Sequence, residues 1–540
     1  MTDTAHVDTF ALDNLPPQEQ WPELLFELPE VQYPDRLNCT VELLDKAIDQ
    51  GWGDRVAILG TGIKWTYAEL LEKVNRAAHV LTNELGLVPG NRVLLRGPNH
   101  PMLAVAWFAI EKAGLIAVTT MPLLRAKELT EIIDRVQIKA ALCDSRFADE
   151  LHAVESDYLE HTLLYYGDGE GTLEARMASQ SAEFTAVGTA LEDPAIIAFT
   201  SGSTGNPKAT VHFHRDVMAI CDTFPKSVLK IEPDDICIGS PPLGFTFGLG
   251  GILLFPLRVG GASLLIEKYS PESYLQAITD YGATISWTAP FFYRKMADFA
   301  PNYNLSTLRK CVSAGETLPP ATRAIWKEKT GIEMVDGIGA TEMLHIFISH
   351  TEEDAKPGAT GKPVPGYYAK VVDEDGNEVP TNTVGKLAVK GPTGCRYLAD
   401  ERQKGYVQDG WNLTGDAYMV DDDGYFIYQA RTDDMIITTG YNVAGPEVEG
   451  ALLKHDIVAE CAVVGAPDEE RGTIIKAYIV LREGVATEDD LVPQLQDFVK
   501  HTIAPYKYPR AIEFIEALPR TDTGKVQRYV LRERAWATVS

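Results

Sequence analysis

Between Arg55 and about Leu265 the chain alternates short apolar, β-rich runs with helical patterns, and that alternation restricts the fold more than any other feature. Residues 92–95, 116–118, 140–143 and 195–199 read as strands, and residues 66–85, 101–113 and 126–135 as helices between them. Strand–helix alternation implies parallel sheets covered by helices. At 540 residues the chain is longer than one hydrophobic core accommodates, so two or more domains are expected.

Past Gly361 the texture changes to short strands and tight turns. Residues 370–373 run into Asp375, Gly376 and Asn377, then 386–390 follow; residues 418–420 and 425–428 flank Asp423 and Gly424, a hairpin signal. The triplet Asp421, Asp422, Asp423 lacks the ligand spacing of a calcium loop and reads as a solvated turn. The last hundred residues read as a compact α+β unit. A helix starts at Pro446, strands cover 460–464 and 476–481, a helix covers 488–502, and a strand covers 511–515. The boundary falls near Asp433, giving domains 1–432 and 433–540.

The apolar run 241–266 is broken by Pro256 and six glycines, whereas a spanning helix needs about 20 apolar residues with few breakers, so buried core is expected there. A net charge of −28 argues against broad contact with nucleic acid or an anionic membrane. Seven scattered cysteines read as reduced thiols rather than a disulfide frame or zinc site, and the amino terminus shows no export signal; a cytoplasmic location is expected. The oligomeric state stays open, a homodimer included.

One loop carries obvious chemistry. The buried-strand pattern 195–199 runs into Thr200, Ser201, Gly202, Ser203, Thr204, Gly205, Asn206, Pro207 and Lys208. Glycines let backbone amides turn toward an anion, hydroxyls donate further hydrogen bonds, and the lysine supplies charge. It is not a Walker loop, because Lys208 follows proline. TSGSTGNPK resembles the phosphate-loop signature of the acyl-adenylate-forming superfamily, with Ala209 where a glycine is usual.

The resemblance continues in order along the chain. It implies a large domain of helix-covered parallel sheets with a distorted β-barrel subdomain, and a small mobile α+β domain. Ser313, Ala314, Gly315 and Glu316 resemble the segment against adenine. Asp336, Gly337, Ile338, Gly339, Ala340, Thr341 and Glu342 resemble the central signature. It implies Asp336 facing the adenine amino group, Thr341 the α-phosphate, and Glu342, with Thr204, holding Mg2+; Ile338 stands where relatives carry an aromatic. Asp416 and Arg431 match the ribose contacts. Lys525 reads alone as a surface lysine, but it matches the catalytic lysine that bridges substrate carboxylate and α-phosphate. Asp433 matches the hinge. Gly440, with Tyr441 beside it, matches the coenzyme A tunnel, and Arg471 and Lys476 read either as coenzyme A contacts or as solvated charge.

Phe245, Thr246 and Phe247, with Trp287 and Phe291, occupy segments where relatives build the acyl pocket, and Ile338 and Gly339 belong to it as well. Each aromatic also suits plain core packing. The run DGIGATEMLHIF is similar to that of benzoate- and 2-aminobenzoate-CoA ligases, which brings His345 to the pocket. The resemblance thus implies an ATP-dependent carboxylate–CoA ligase acting through acyl-AMP on an aryl acid. Alternatives are a medium-chain acyl-CoA synthetase and a stand-alone adenylation enzyme loading a carrier protein.

Overall fold

A computed structural model describes residues 3–537 apart from 168, 201–206, 432–433, 439–440, 469–471, 486, 488–489, 504 and 522–524. Two parallel sheets dominate the first two thirds of the chain. One runs in the order His161–Tyr165, Ala140–Asp144, Arg92–Arg96, Ile116–Thr120, Pro194–Thr200, Lys208–Phe213, and only the last pairing is antiparallel. The other has nine strands, with six parallel strands from Met334–Gly339 to Val56–Gly60 and antiparallel edges.

The helices between strands follow their sequence signals. Thr66 caps the helix Tyr67–His79 reciprocally with Glu69, and a π turn, Val80–Glu84, extends it. Pro101 opens the helix Pro101–Lys112, whose twelve residues are all buried, the pattern of a helix apolar on every side. The run 241–266 forms an irregular helix from Thr246 to Arg258, with a π turn at Leu249–Leu254, and the strand Ala262–Leu264; most of it is buried. Among the described residues no helix is long and apolar enough to cross a membrane.

The turn-rich section forms a five-stranded antiparallel sheet of Tyr368–Val372, Gly385–Lys390, Trp411–Val420, Val407–Gln408 and Phe426–Arg431. Lys356 pairs with Asp421 at 2.6 Å and Asp423 at 2.9 Å, so a lysine clips that acidic turn. The carboxyl-terminal unit sets Val458–Asp468, Gly472–Leu481 and Ala511–Phe514 in a sheet with helices Gly445–Leu452, Leu491–Thr502 and Arg528–Ala537. Its strands outrun the expected 460–464 and 476–481 because the two pair over their whole length as one antiparallel ribbon.

All seven cysteines are buried free thiols. Cys39 meets Glu111 and His214 in the core, its sulfur 3.7 Å from the carboxylate and 3.2 Å from the imidazole. Burial raises the pKa of Cys39 and Glu111 and lowers that of His214 to about 3, so the trio is a neutral hydrogen-bonded group.

Candidate active site

Thr200 and Lys208 face each other across the antiparallel pair Pro194–Thr200 and Lys208–Phe213, so the two ends of the expected phosphate loop are held side by side. Ser201, Gly202, Ser203, Thr204 and Gly205 lie outside the described residues, Thr204's expected metal contact with them. At the base of the loop, Thr200 Oγ1 is buried with no hydrogen-bond partner among the described residues. Lys208 Nζ donates to Tyr397 Oη at 2.8 Å, and Tyr397 donates to Glu342 Oε1 at 2.5 Å; Lys208 and Glu342 themselves stand 3.6 Å apart. The ammonium also lies 4.7 Å from the Tyr397 ring centroid and 5.8 Å from that of Tyr406. The sequence reading missed Tyr397, because no spacing rule ties position 397 to positions 208 and 342.

The strand Met334–Gly339 ends in one tight turn, Thr341–Met343, and returns as Ile346–Ser349. Leu344, fully buried, holds φ 67°, a conformation rare for a leucine that costs about 1–3 kcal/mol. The reversal sends Glu342 toward Lys208 and His345 toward an aromatic cluster, three residues apart. Gly339 permits it: a Cβ there would stand 2.8 Å from the His345 carbonyl carbon. The turn is also tied to the strand Lys208–Phe213, since His212 Nε2 donates to the Thr341 carbonyl at 2.7 Å.

Asp336 is buried, and burial pushes its carboxyl up to about 7, with Arg323 pulling the other way. Its backbone N–H and Arg323 both donate to His350 Nε2, at 3.1 and 2.9 Å, while His350 Nδ1 donates to the Thr351 carbonyl. Among the described residues, Oδ1 of Asp336 has no hydrogen-bond partner. Ser313, its cross-strand neighbour, lies near enough to favour the ionised form but short of hydrogen-bond geometry. An unmatched buried acceptor beside Ser313 and Ala314 is the environment a purine amino group would satisfy. Ile338 is half-buried and Gly339 exposed at the strand end.

Asp416 and Arg431 are cross-strand partners, with Arg431 Nη1 3.1 Å from Asp416 Oδ1 and 3.1 Å from the Thr414 carbonyl. Burial raises the Asp416 pKa and Arg431 opposes that rise. Lys525 reaches this cleft from the carboxyl-terminal unit. A Cβ on Gly315 would stand 3.7 Å from Lys525 Cε. The lysine is solvent-accessible yet closely surrounded by protein atoms. That crowding lowers its pKa, while Glu316, Asp416 and Glu342 pull it upward. Among the sequence candidates, the fold therefore brings together Thr200, Lys208, Glu342, Asp416, Glu316 and Lys525.

His345 is the hub of the aromatic cluster. Its ring centroid lies 4.5 Å from Phe255, 5.8 Å from Phe247, 5.9 Å from Trp287 and 6.1 Å from Phe224. Nε2 stands 3.4 Å from the Phe247 carbonyl, and burial lowers the pKa to about 3, so the imidazole is neutral at physiological pH. Phe224 and Phe255 were missed; they sit in a helical stretch and an apolar run that also suit core packing. Phe245 and Thr246 are half-buried at the start of the 246–258 helix. Phe291 departs from the expectation: the Arg520 guanidinium lies 3.8 Å and Lys295 Nζ 4.2 Å from its ring centroid, which puts it against the carboxyl-terminal unit rather than in this cluster.

Asp433, Gly440 and Arg471 lie outside the described residues, and Tyr441 is described only as backbone in the strand Tyr441–Val443. Lys476 is paired with Glu513 at 2.8 Å and largely buried, so in this arrangement it is not presented to a coenzyme A phosphate.

The AMP-binding enzyme family matches residues 45–397, and the AMP-binding enzyme C-terminal domain matches residues 447–525. The chain is 36% identical to the benzoate–CoA ligase of Thauera aromatica, over 93% of this chain and 97% of that one. It is 32% identical to the mitochondrial acyl-coenzyme A synthetase ACSM4 of Rattus norvegicus, over 94% and 92%. The crystal structure of the anthranilate CoA ligase AuaEII with anthranoyl-AMP superposes with a TM-score of 0.90 at 32% identity, covering 95% of this chain and all of the other.

Proposed function

Because the chain belongs to the AMP-binding enzyme family and is an AMP-forming acid–thiol ligase using ATP, Mg2+ and coenzyme A, we propose that its acid is a small aryl carboxylate such as benzoate or 2-aminobenzoate. The observation that carries the aryl reading is the neutral His345 imidazole ringed by Phe224, Phe247, Phe255 and Trp287. Such a wall favours a flat ring by edge and offset contacts and offers no charge to a second ionised group. The benzoate and anthranilate ligases among the relatives support the same class.

The roles divide between two units, 1–432 and 433–540, about Asp433. Asp336 and Ser313 receive the adenine, Asp416 and Arg431 the ribose, and Thr200, the 201–206 segment and Lys208 the phosphates. Glu342 fits Mg2+, being a hard oxygen donor beside Lys208, and the ion would supply charge neutralisation on the triphosphate. Lys525 stands between two anions that must meet, the substrate carboxylate and the α-phosphate. Its charge offsets their repulsion and stabilises the in-line displacement. Rotation of the carboxyl-terminal unit then exchanges Lys525 for the 440–441 segment, and the thiol attacks the acyl carbon of acyl-AMP, breaking its bond to the phosphate oxygen and releasing AMP.

The test is AMP release with ATP and coenzyme A over benzoate, 2-aminobenzoate, and C4 to C10 fatty acids. Highest kcat/KM on an aryl acid is expected. Preference for a medium-chain acid would replace the aryl reading, and thioester formation only with an added carrier protein would replace the acceptor.

A further inference from the structure

Among the described residues the carboxyl-terminal unit meets the large one where the helix Gly445–Leu452 packs against the strand Phe426–Arg431, and through polar contacts on the helix Pro290–Ala297 and residue 316. Arg294 Nε donates to the Ala459 carbonyl at 3.2 Å. Lys295 lies 3.9 Å from Glu460. Arg520 bridges the units most fully: it donates to Glu316 at 3.2 Å and to Glu460 at 2.8 Å, and its guanidinium lies 3.8 Å from the Phe291 ring centroid. A planar guanidinium can stack on a ring while its edge serves two carboxylates, which an ammonium cannot.

Arg520 also sits at the neck of the turn that carries Lys525. Arg520 and Val526 form an antiparallel bridge, Thr521 N–H donates to the Lys525 carbonyl at 2.7 Å, and Lys525 N–H donates to Thr521 Oγ1 at 3.1 Å. On the facing wall Glu316 adjoins Gly315, the residue against Lys525 Cε. The contact is thus one residue removed from the lysine's seat on the facing wall and one bridge pair removed along its own turn.

We propose that Arg520 is a positioning residue that latches Lys525 against the nucleotide wall for adenylation, and that its contacts to Glu316 and Phe291 must break before thioester formation. The proposal rests on Lys525 serving the first half-reaction. The side chain touches no reacting atom in this reading, so its loss acts on the time Lys525 spends in place.

The test measures the two half-reactions separately: pyrophosphate exchange for adenylation, and thioester formation from supplied benzoyl-AMP and coenzyme A. Arg520→Ala is expected to slow adenylation roughly ten- to a hundredfold, the range for a lost hydrogen bond to a charged group, with thioester formation within about twofold of the parent. Arg520→Lys, keeping charge without the stacked fork, is expected to recover part of the loss, and melting temperatures check folding. Equal loss in both half-reactions, or none in adenylation, overturns the latch. Lys525→Ala run alongside separates the two ideas: if it abolishes adenylation while Arg520→Ala does not, the latch alone falls, and if it spares adenylation the reading beneath it falls too.

Discussion

Tyr397 donates its phenolic hydrogen to Glu342 at 2.5 Å, and this contact joins Lys208 to the expected magnesium ligand. The phenol is held strongly in its protonated form by burial and the adjacent carboxylate, so it is always a donor. Tyr397→Phe removes that donor and leaves Lys208 without its 2.8 Å acceptor. A hydrogen bond to a charged group contributes about 1.5–3 kcal/mol. The expected outcome is a fall in kcat/KM for Mg-ATP of about ten- to a hundredfold, with a higher magnesium requirement. AMP release measured against Mg-ATP and free magnesium checks it, and an unchanged magnesium dependence would separate Tyr397 from the metal site.

Lys525→Ala should abolish acyl-AMP formation and spare thioester formation from supplied acyl-AMP. In the proposed mechanism the lysine acts where the substrate carboxylate meets the α-phosphate, and the second step carries no such encounter. Single-turnover assays of each half-reaction give the answer. Survival of both steps would remove the role assigned here.

Asp336 gives a pH dependence with a definite sign. Its pKa is raised in the native state to about 7, so folding takes up a proton between the ordinary carboxylate range and neutrality. That contribution to stability is full below about pH 4 and is lost as pH rises through 7. The ligand-free protein should therefore lose melting temperature between about pH 4 and 7 relative to Asp336→Asn. Ionised Asp336 is the better acceptor for an amino group, so the stabilisation conferred by ATP should grow over the same interval and flatten in the variant. Thermal melts with and without ATP, in both proteins, read this directly.

The fold was legible where local signals and burial agreed. The strand pattern 195–199 and helix 101–113 appear as Pro194–Thr200 and Pro101–Lys112, since apolar runs bounded by proline or glycine have few alternatives. The carboxyl-terminal strand 511–515 appears as Ala511–Phe514 for the same reason. The site was legible as motifs but not as contacts. Asp336, Glu342, Asp416 and Lys525 stood in recognisable runs, whereas Tyr397 reaches Glu342, Arg323 and His350 reach Asp336, and Phe224 reaches His345 only through the packing of separate elements. Phe291 shows the limit from the other side: its aromatic character suited a pocket wall, and its orientation on the helix Pro290–Ala297 gave it to Arg520.

The aromatic cluster is packed too closely to accept a methyl group, which makes its floor a test of acid recognition. A Cβ on Gly250 would stand 2.5 Å from His345 Cδ2, 2.9 Å from its Nε2 and 3.1 Å from Phe255 Cζ. Gly250→Ala must therefore turn the imidazole away from the Phe247 carbonyl or shift Phe255. Overpacking of this kind costs about 1–3 kcal/mol, so a lower melting temperature is expected. The displacement lies on the aromatic side of the Leu344 reversal, while Glu342 and Lys208 lie on the other. KM for the proposed aryl acid should rise at least several-fold with KM for ATP nearly unchanged, because the proposed function gives the disturbed ring to the acid's wall and not to the nucleotide's. Steady-state kinetics with each substrate varied in turn measure the split, and equal shifts in both constants would place His345 outside the acid pocket.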